Sequence, residues 1–327
     1  MKREFFAALG ILLSAAVVAG SRDQRASLLP KLQSGQVLTY LVRFASDKKV
    51  KTESTVALAL APDGERLDAH GLLRLEILDM QMSGGKPIVH ATTRFLTLDS
   101  GVWMKKHGDK KPNWTKEKEL VDPAGKTVEF TIAPNGSFEK ISGLDSLFPE
   151  QQQAWLEWAS RFALAWTLPR QGSRIGDRWK SEQFEKAPSP IASLVWAFDS
   201  SYVRNEPCHA RQLSLTGEFS PASGPLDTCA VLLANAKLTQ KSSPRDATPQ
   251  DFKLHDLKTM GTAKGSNEII TYISLTTGLV MRATEEASQQ MDVIVAKSDG
   301  SNGVHYNLDA TSKSEVLLIT ETPLASP

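Results

Sequence analysis
The residues that could do chemistry in this chain are few and mostly isolated. Cys208 and Cys229 are its only cysteines. An even pair favours a disulfide if the chain is exported to an oxidising compartment; two buried free thiols are the alternative. Spacing leaves the geometry open. A hairpin turning at Thr216-Gly217-Glu218 brings the two cysteines nearly opposite, whereas one turning at Pro221 to Pro225 does not.

His70, His90, His107, His209, His255 and His305 are scattered, and none stands one helical turn from another beside a carboxylate as a zinc helix requires. There is no Gly-x-Ser-x-Gly elbow. Gly261-Thr-Ala-Lys-Gly265-Ser lacks the Gly-Lys-Ser/Thr end of a phosphate loop. Ser298 to Gly303 offers Asp299 as its lone carboxylate, too few for calcium, and reads as a turn. Glu285 and Glu286 are adjacent, so on a strand they face opposite ways and cannot serve as an acid–base pair. These absences predict no catalysis, cofactor or metal, and direct attention to binding.

The binding candidates are aromatic. In Leu147 to Trp166 (LFPEQQQAWLEWASRFALAW), Trp155, Trp158, Ala159, Phe162 and Trp166 recur at helical spacing. Gln152, Gln153, Glu157, Ser160 and Arg161 take most of the other face. Pro149 suits the first turn, Asp145 or Ser146 the cap, and Pro169 the stop. Each large aromatic can bury about 150–250 Å², so the stripe needs a broad apolar surface to lie against. Trp155, Trp158, Phe162 and Trp166 therefore either fill a core or line a cavity for an apolar ligand.

That surface is predicted to be a sheet. Leu38, Tyr40, Val42 and Phe44 alternate as a strand does. After a charged, turn-like Lys48 to Glu53 come Thr55 to Ala61, the turn Pro62-Asp63-Gly64, Leu72 to Leu78 and Ile88 to Leu98. Trp103 to Glu119, with lysines at 105, 106, 110, 111, 116 and 118, reads as a solvated loop; a docking site for an anionic partner is the alternative. Thr127 to Ile141 is the clearest hairpin, turning at Pro134-Asn135-Gly136. Polar Gln240 to Gly265 reads as a loop or linker. Strands then resume at Ile269 to Leu275, Leu279 to Ala283, Met291 to Val295, Val304 to Asp309 and Glu315 to Thr320.

Lys2, Arg3, the apolar run Phe5 to Gly20 and small residues near Ser21 read as a cleaved export signal. The run is shorter than the roughly 20 residues of a membrane span, and no later segment is apolar enough to cross. Removal of the signal leaves basic and acidic residues balanced, which gives no reason to propose nucleic acid or an anionic membrane as the main partner. The predicted divisions are a signal at 1–20, a β-meander with the helix at 21–239, a linker at 240–265, a second meander at 266–320 and a frayed tail at 321–327.

A signal, an antiparallel meander, one helix beneath it and the closing segment YISLTTGLVMRATEEASQQMDVIV (Tyr272 to Val295) resemble the bacterial lipoprotein-carrier half-barrels. The chain also resembles exported bacterial families with a Leu-Pro…Gly-Asp-x-Trp pattern, here Leu168-Pro169 and Gly176-Asp177-x-Trp179. The resemblance implies an envelope protein that binds lipid or another apolar partner, and no ligand residue is carried over by position. The expectation is an α+β, mainly antiparallel β fold, a curved sheet or half-barrel wrapped round one helix, periplasmic or extracellular. Its function is expected to be non-enzymatic binding of a lipid or lipidated partner. The rival is a structural or protein-binding module with a filled core.

Overall fold
In the computed structural model the described residues are 25–54, 63–105, 115–120, 122–169, 171–185, 189–213, 219–221 and 226–321. The export signal, the strand Thr55 to Ala61, most of the lysine-rich stretch and nearly all of the tail lie outside them. The first half contributes strands β1 (Val37–Ser54), β2 (Gly64–Ser83), β3 (Lys86–Lys105), β4 (Thr115–Glu119), β5 (Thr127–Ile132) and β6 (Phe138–Ser142). Helix α1 (Pro149–Phe162) follows, then β7 (Arg178–Phe184), β8 (Leu194–Cys208), β9 (Arg211–Leu213), β10 (Phe219–Pro221) and β11 (Asp227–Gln240). Helix α2 (Gln250–Leu254), β12 (Leu257–Ser274), β13 (Val280–Lys297) and β14 (Val304–Glu321) complete the chain.

The fourteen strands of the described residues belong to one sheet; eleven follow the order β6-β5-β3-β2-β1-β14-β13-β12-β11-β8-β7, while β4 pairs with β3 and β9 with β10 and β14. Every pairing is antiparallel except β9 alongside β14. The first and last strands pair from Thr39 opposite Ile319 to Ser54 opposite Val304, which places β14 near the middle of the sheet.

The long strands run further than alternation predicts. Lys48 to Glu53 is not a turn but the end of β1, and Val304 to Thr320 is one strand rather than two. β12 begins at Leu257, so the polar connection is confined to residues 241–256 and contains α2. The cause lies in the packing of the covered face. Near α1 that face carries large apolar side chains, among them Tyr40, Val42, Leu73, Phe95 and Val316. At the other end a second cluster gathers Ile191, Leu194, Leu238, Ala247, Met291 and Val293. Between them the register aligns Ser46, Ser312, Ala287, Asn267, Ala236, Phe198 and Ser181, a row small in every member but Asn267 and Phe198. On β1, β11, β12, β13 and β14 the residue in that row is small or polar, so period two fades there without the strand ending.

The helix is shorter than the stripe. Trp166 lies in a 3₁₀ turn, Leu164–Thr167, where the Lys86 ammonium donates to the carbonyls of Trp166 and Leu168 and caps the chain end. At the N-terminus Phe148 is the cap residue, its N–H donating to Gln151 Oε1 at 3.2 Å, and Asp145 and Ser146 belong to the preceding 3₁₀ turn. The 133–137 hairpin turn forms as expected, with Gly136 at φ 81° packed against the end of α1, a site where a side chain would be strained. Residues 25–36, before β1, form no helix: Ala26 bridges to Ser173, and Leu28 and Leu32 are buried.

Cys208 and Cys229 form a disulfide with Cα atoms 5.7 Å apart, tying β8 to β11, which pair antiparallel with β9 and β10 as an excursion between them. Replacing both cysteines by serine is expected to destabilise the fold by about 3 kcal/mol, read as a lower urea midpoint. Alkylation of the unfolded, unreduced protein is expected to label neither cysteine.

Candidate binding surface
The four aromatic candidates are core. Exposure is 0% for Trp155 and Trp158, 6% for Phe162 and 2% for Trp166. Each indole also resolves its polar tip: Trp155 Nε1 donates to Thr93 Oγ1 at 2.7 Å, Trp158 to the Arg43 carbonyl at 3.0 Å, and Trp166 to the Pro87 carbonyl at 2.8 Å. Phe162 stacks on Tyr40 with centroids 4.5 Å apart, and Trp155 meets Phe130 edge-on at 5.4 Å. The helix thus sits on one face of the sheet with its aromatic side fully engaged.

Sequence reasoning missed a buried ionic cluster beside these rings. Arg161, on α1, donates to both Glu157 and Glu285, and the Asn267 amide donates to the other oxygen of Glu285. Glu285 lies on the covered face of β13, opposite Ser314 and Ile269, while Glu286 faces outward and pairs with Lys313 at 2.7 Å. The opposed orientation of the two glutamates follows from strand alternation, but the arginine waiting above Glu285 could not be read from it. Burial pushes the Glu285 carboxyl up to about 8, against the pull of Arg161 and with the push of Glu157.

Open space lies on the opposite face. One groove of about 1230 Å³ crosses from β7 to β14. Its walls are two rows of exposed side chains aligned by register, Lys180-Asp199-Asn235-Glu268-Glu286-Lys313 and Glu182-Ala197-Lys237-Ser266-Ser288-Thr311. Six strands at about 4.8 Å spacing make it roughly 24 Å long. A second groove of about 630 Å³ adjoins it, sharing Glu268, Glu286 and Lys313 and adding Arg43, His70, Arg282 and Glu315. Neither groove is lined by an aromatic residue of α1.

Within the larger groove Glu286 pairs with Lys313, and Glu182 with Lys241 at 3.3 Å. Lys180, Lys237, Asp199 and Glu268 form no ion pair among the described residues. The histidines remain dispersed: His90 binds Glu129, His305 binds Asp292, and His70 stands near Asp68 and Asp99. Among the described residues no group of three His, Cys, Asp or Glu side chains could hold a metal, and no helix is long and apolar enough to cross a membrane.

No protein-family model matches the chain, and neither does any curated protein. Among solved structures, lipovitellin, from work titled for its lipid–protein interactions, aligns over 90% of this chain at 11% identity and a TM-score of 0.39, and the chain spans 26% of that protein's length. Pseudomonas aeruginosa OccK7 (OpdD) aligns over 88% of this chain and 100% of its own at 6% identity, with a TM-score of 0.21. A mutant Rh. blastica porin aligns over 87% of this chain and 100% of its own at 9% identity, with a TM-score of 0.17. At these scores the likenesses bear on neither site nor ligand.

The Glu285 cluster makes stability depend on pH with a defined sign. A carboxyl whose folded pKa is raised binds its proton more tightly when folded, so its contribution is present below the unfolded value and is lost as pH rises through the folded one. Urea midpoints are therefore expected to fall between about pH 5 and about 8 and then level off, the upper limit being the folded value of Glu285. Glu285→Gln, which keeps the shape without the charge, is expected to flatten that slope. An unchanged slope would remove Glu285 as its source.

Proposed function
We propose that the protein is an exported, non-enzymatic binding module that holds an extended polypeptide segment of mixed charge in the groove from β7 to β14, with a solid core beneath α1. The supporting observation is the charge left over in that groove. Lys180, Lys237, Asp199 and Glu268 project from one face with no partner among the described residues, while nearby charges are matched. Unsatisfied charges of both signs along a trough favour a ligand with a complementary pattern, which they select and steer more than they tighten. An extended peptide rises about 3.3 Å per residue, so roughly seven residues fit the length.

The apolar-ligand reading, lipid in the hollow of a half-barrel wrapped round the helix, needs room beside Trp155, Trp158, Phe162 and Trp166. Their burial and their satisfied N–H groups favour a filled core instead. Export is inferred from the basic and apolar N-terminal pattern and is in keeping with the disulfide.

Fluorescence anisotropy with a labelled peptide of alternating lysine and glutamate tests the reading. Binding is expected to weaken with added salt, and Lys237→Glu is expected to reduce it about tenfold. Absence of peptide binding, combined with stoichiometric uptake of an apolar naphthalene dye by the folded protein, would replace this proposal with the lipid-carrier one.

A further inference from the structure
The sheet ends differently on its two sides. At one end β6 has five residues, its pairing with β5 shifts register between Glu129 and Thr131, and Lys140 adopts φ 50°. These irregularities blunt an edge against further strands. The other terminal strand, β7, has seven residues and pairs with β8 from Arg178 opposite Ser201 to Phe184 opposite Val195 without a shift. No other described strand pairs with it, and Phe184 is 75% exposed.

Its hydrogen-bonding direction is set by its ends. Glu185 N–H donates to the Leu194 carbonyl and Tyr202 N–H to the Asp177 carbonyl, so the odd-numbered residues turn their backbone groups towards β8. Arg178, Lys180, Glu182 and Phe184 therefore turn theirs to the open edge.

We infer that β7 pairs antiparallel with β7 of a second copy about a two-fold axis through Ser181. In that register Lys180 stands opposite Glu182 of the second copy and Glu182 opposite its Lys180. Arg178 stands opposite Phe184, where a cation faces a ring. All four edge-facing residues then form hydrogen-bonded pairs, and Ser181 meets its twin as the closer, non-bonded pair. Neighbouring registers fail: an axis through Lys180 or Glu182 sets like charges against each other, and one through Trp179 sets Arg178 against Lys180. The short lysine–glutamate sequence that discourages promiscuous edge pairing thus selects one self-complementary alignment. A strand-pair axis is perpendicular to the sheet, so the polar grooves of the two copies share one face and run on into each other across β7. The inference does not depend on what the groove binds.

Sedimentation velocity of the disulfide-intact protein over a concentration series tests it without any ligand. A reversible dimer is expected. Lys180→Glu is expected to raise its dissociation constant about tenfold, and the double variant Lys180→Glu with Glu182→Lys to return it to within about twofold of the parent. Lys180→Pro removes an N–H that the monomer leaves free, and is expected to abolish the dimer without lowering thermal stability. Ser181→Cys is expected to give a disulfide-linked dimer on mild oxidation. A monomer at every concentration would overturn the inference. So would a double variant no better than the single one, or a dimer that survives Lys180→Pro. Should the proline variant misfold, the charge-swap comparison decides.

Discussion
The structure depends on a demand made by three indoles. A tryptophan brings a large apolar ring and one N–H, and burying the first obliges the protein to supply an acceptor for the second. Here the acceptors are a threonine hydroxyl on β3 and main-chain carbonyls of β1 and β3. Those bonds anchor α1 and the 3₁₀ turn after it on the sheet at separate points, and with Phe162 on Tyr40 they hold the aromatic side against the strands. Sliding the helix by one residue would strand all three donors, so the polar tips specify a position that apolar contact alone would leave loose. The Arg161–Glu285 contact adds a buried polar link from the same helix to β13.

A sheet with one face occupied in this way has only the other for an open site. Apolar residues gather under α1 and in the smaller cluster near α2, while the outward rows are built, Ala197 apart, from Lys, Glu, Asp, Asn, Ser and Thr. The division assigns stability to one side and recognition to the other. It also explains why neither groove reaches the rings that, in the sequence, look most like a ligand pocket.

Much of the fold is legible in the chain, and the reasons for the rest are physical. The stripe Trp155, Trp158, Phe162 and Trp166 marks the helix and its buried side, and the turns at Pro134-Asn135-Gly136, Thr276-Thr277-Gly278 and Ser298 to Gly303 lie where their residues demand. Strand length is not legible, because the row through Ser46, Asn267 and Ala287 is too small and polar to announce a covered face. The groove is less legible still. Its walls join residues as distant as Lys180 and Lys313, which only the sheet order brings together. Glu285 was visible as half of an acidic pair, but its partner lies on α1, and no local pattern records that contact.

The central place of β14 has a consequence for synthesis. β1 pairs on one side with β2, its near neighbour in the chain, and on the other with β14, the last of the described strands in chain order. Until then an eighteen-residue strand has one ladder of backbone groups unmatched. Such long-range closure makes folding slow and leaves the nascent chain sticky. A polypeptide released before Val304 would expose β1 and β13 together, two long edges already shaped to accept strands, and would be prone to capture other unfinished copies.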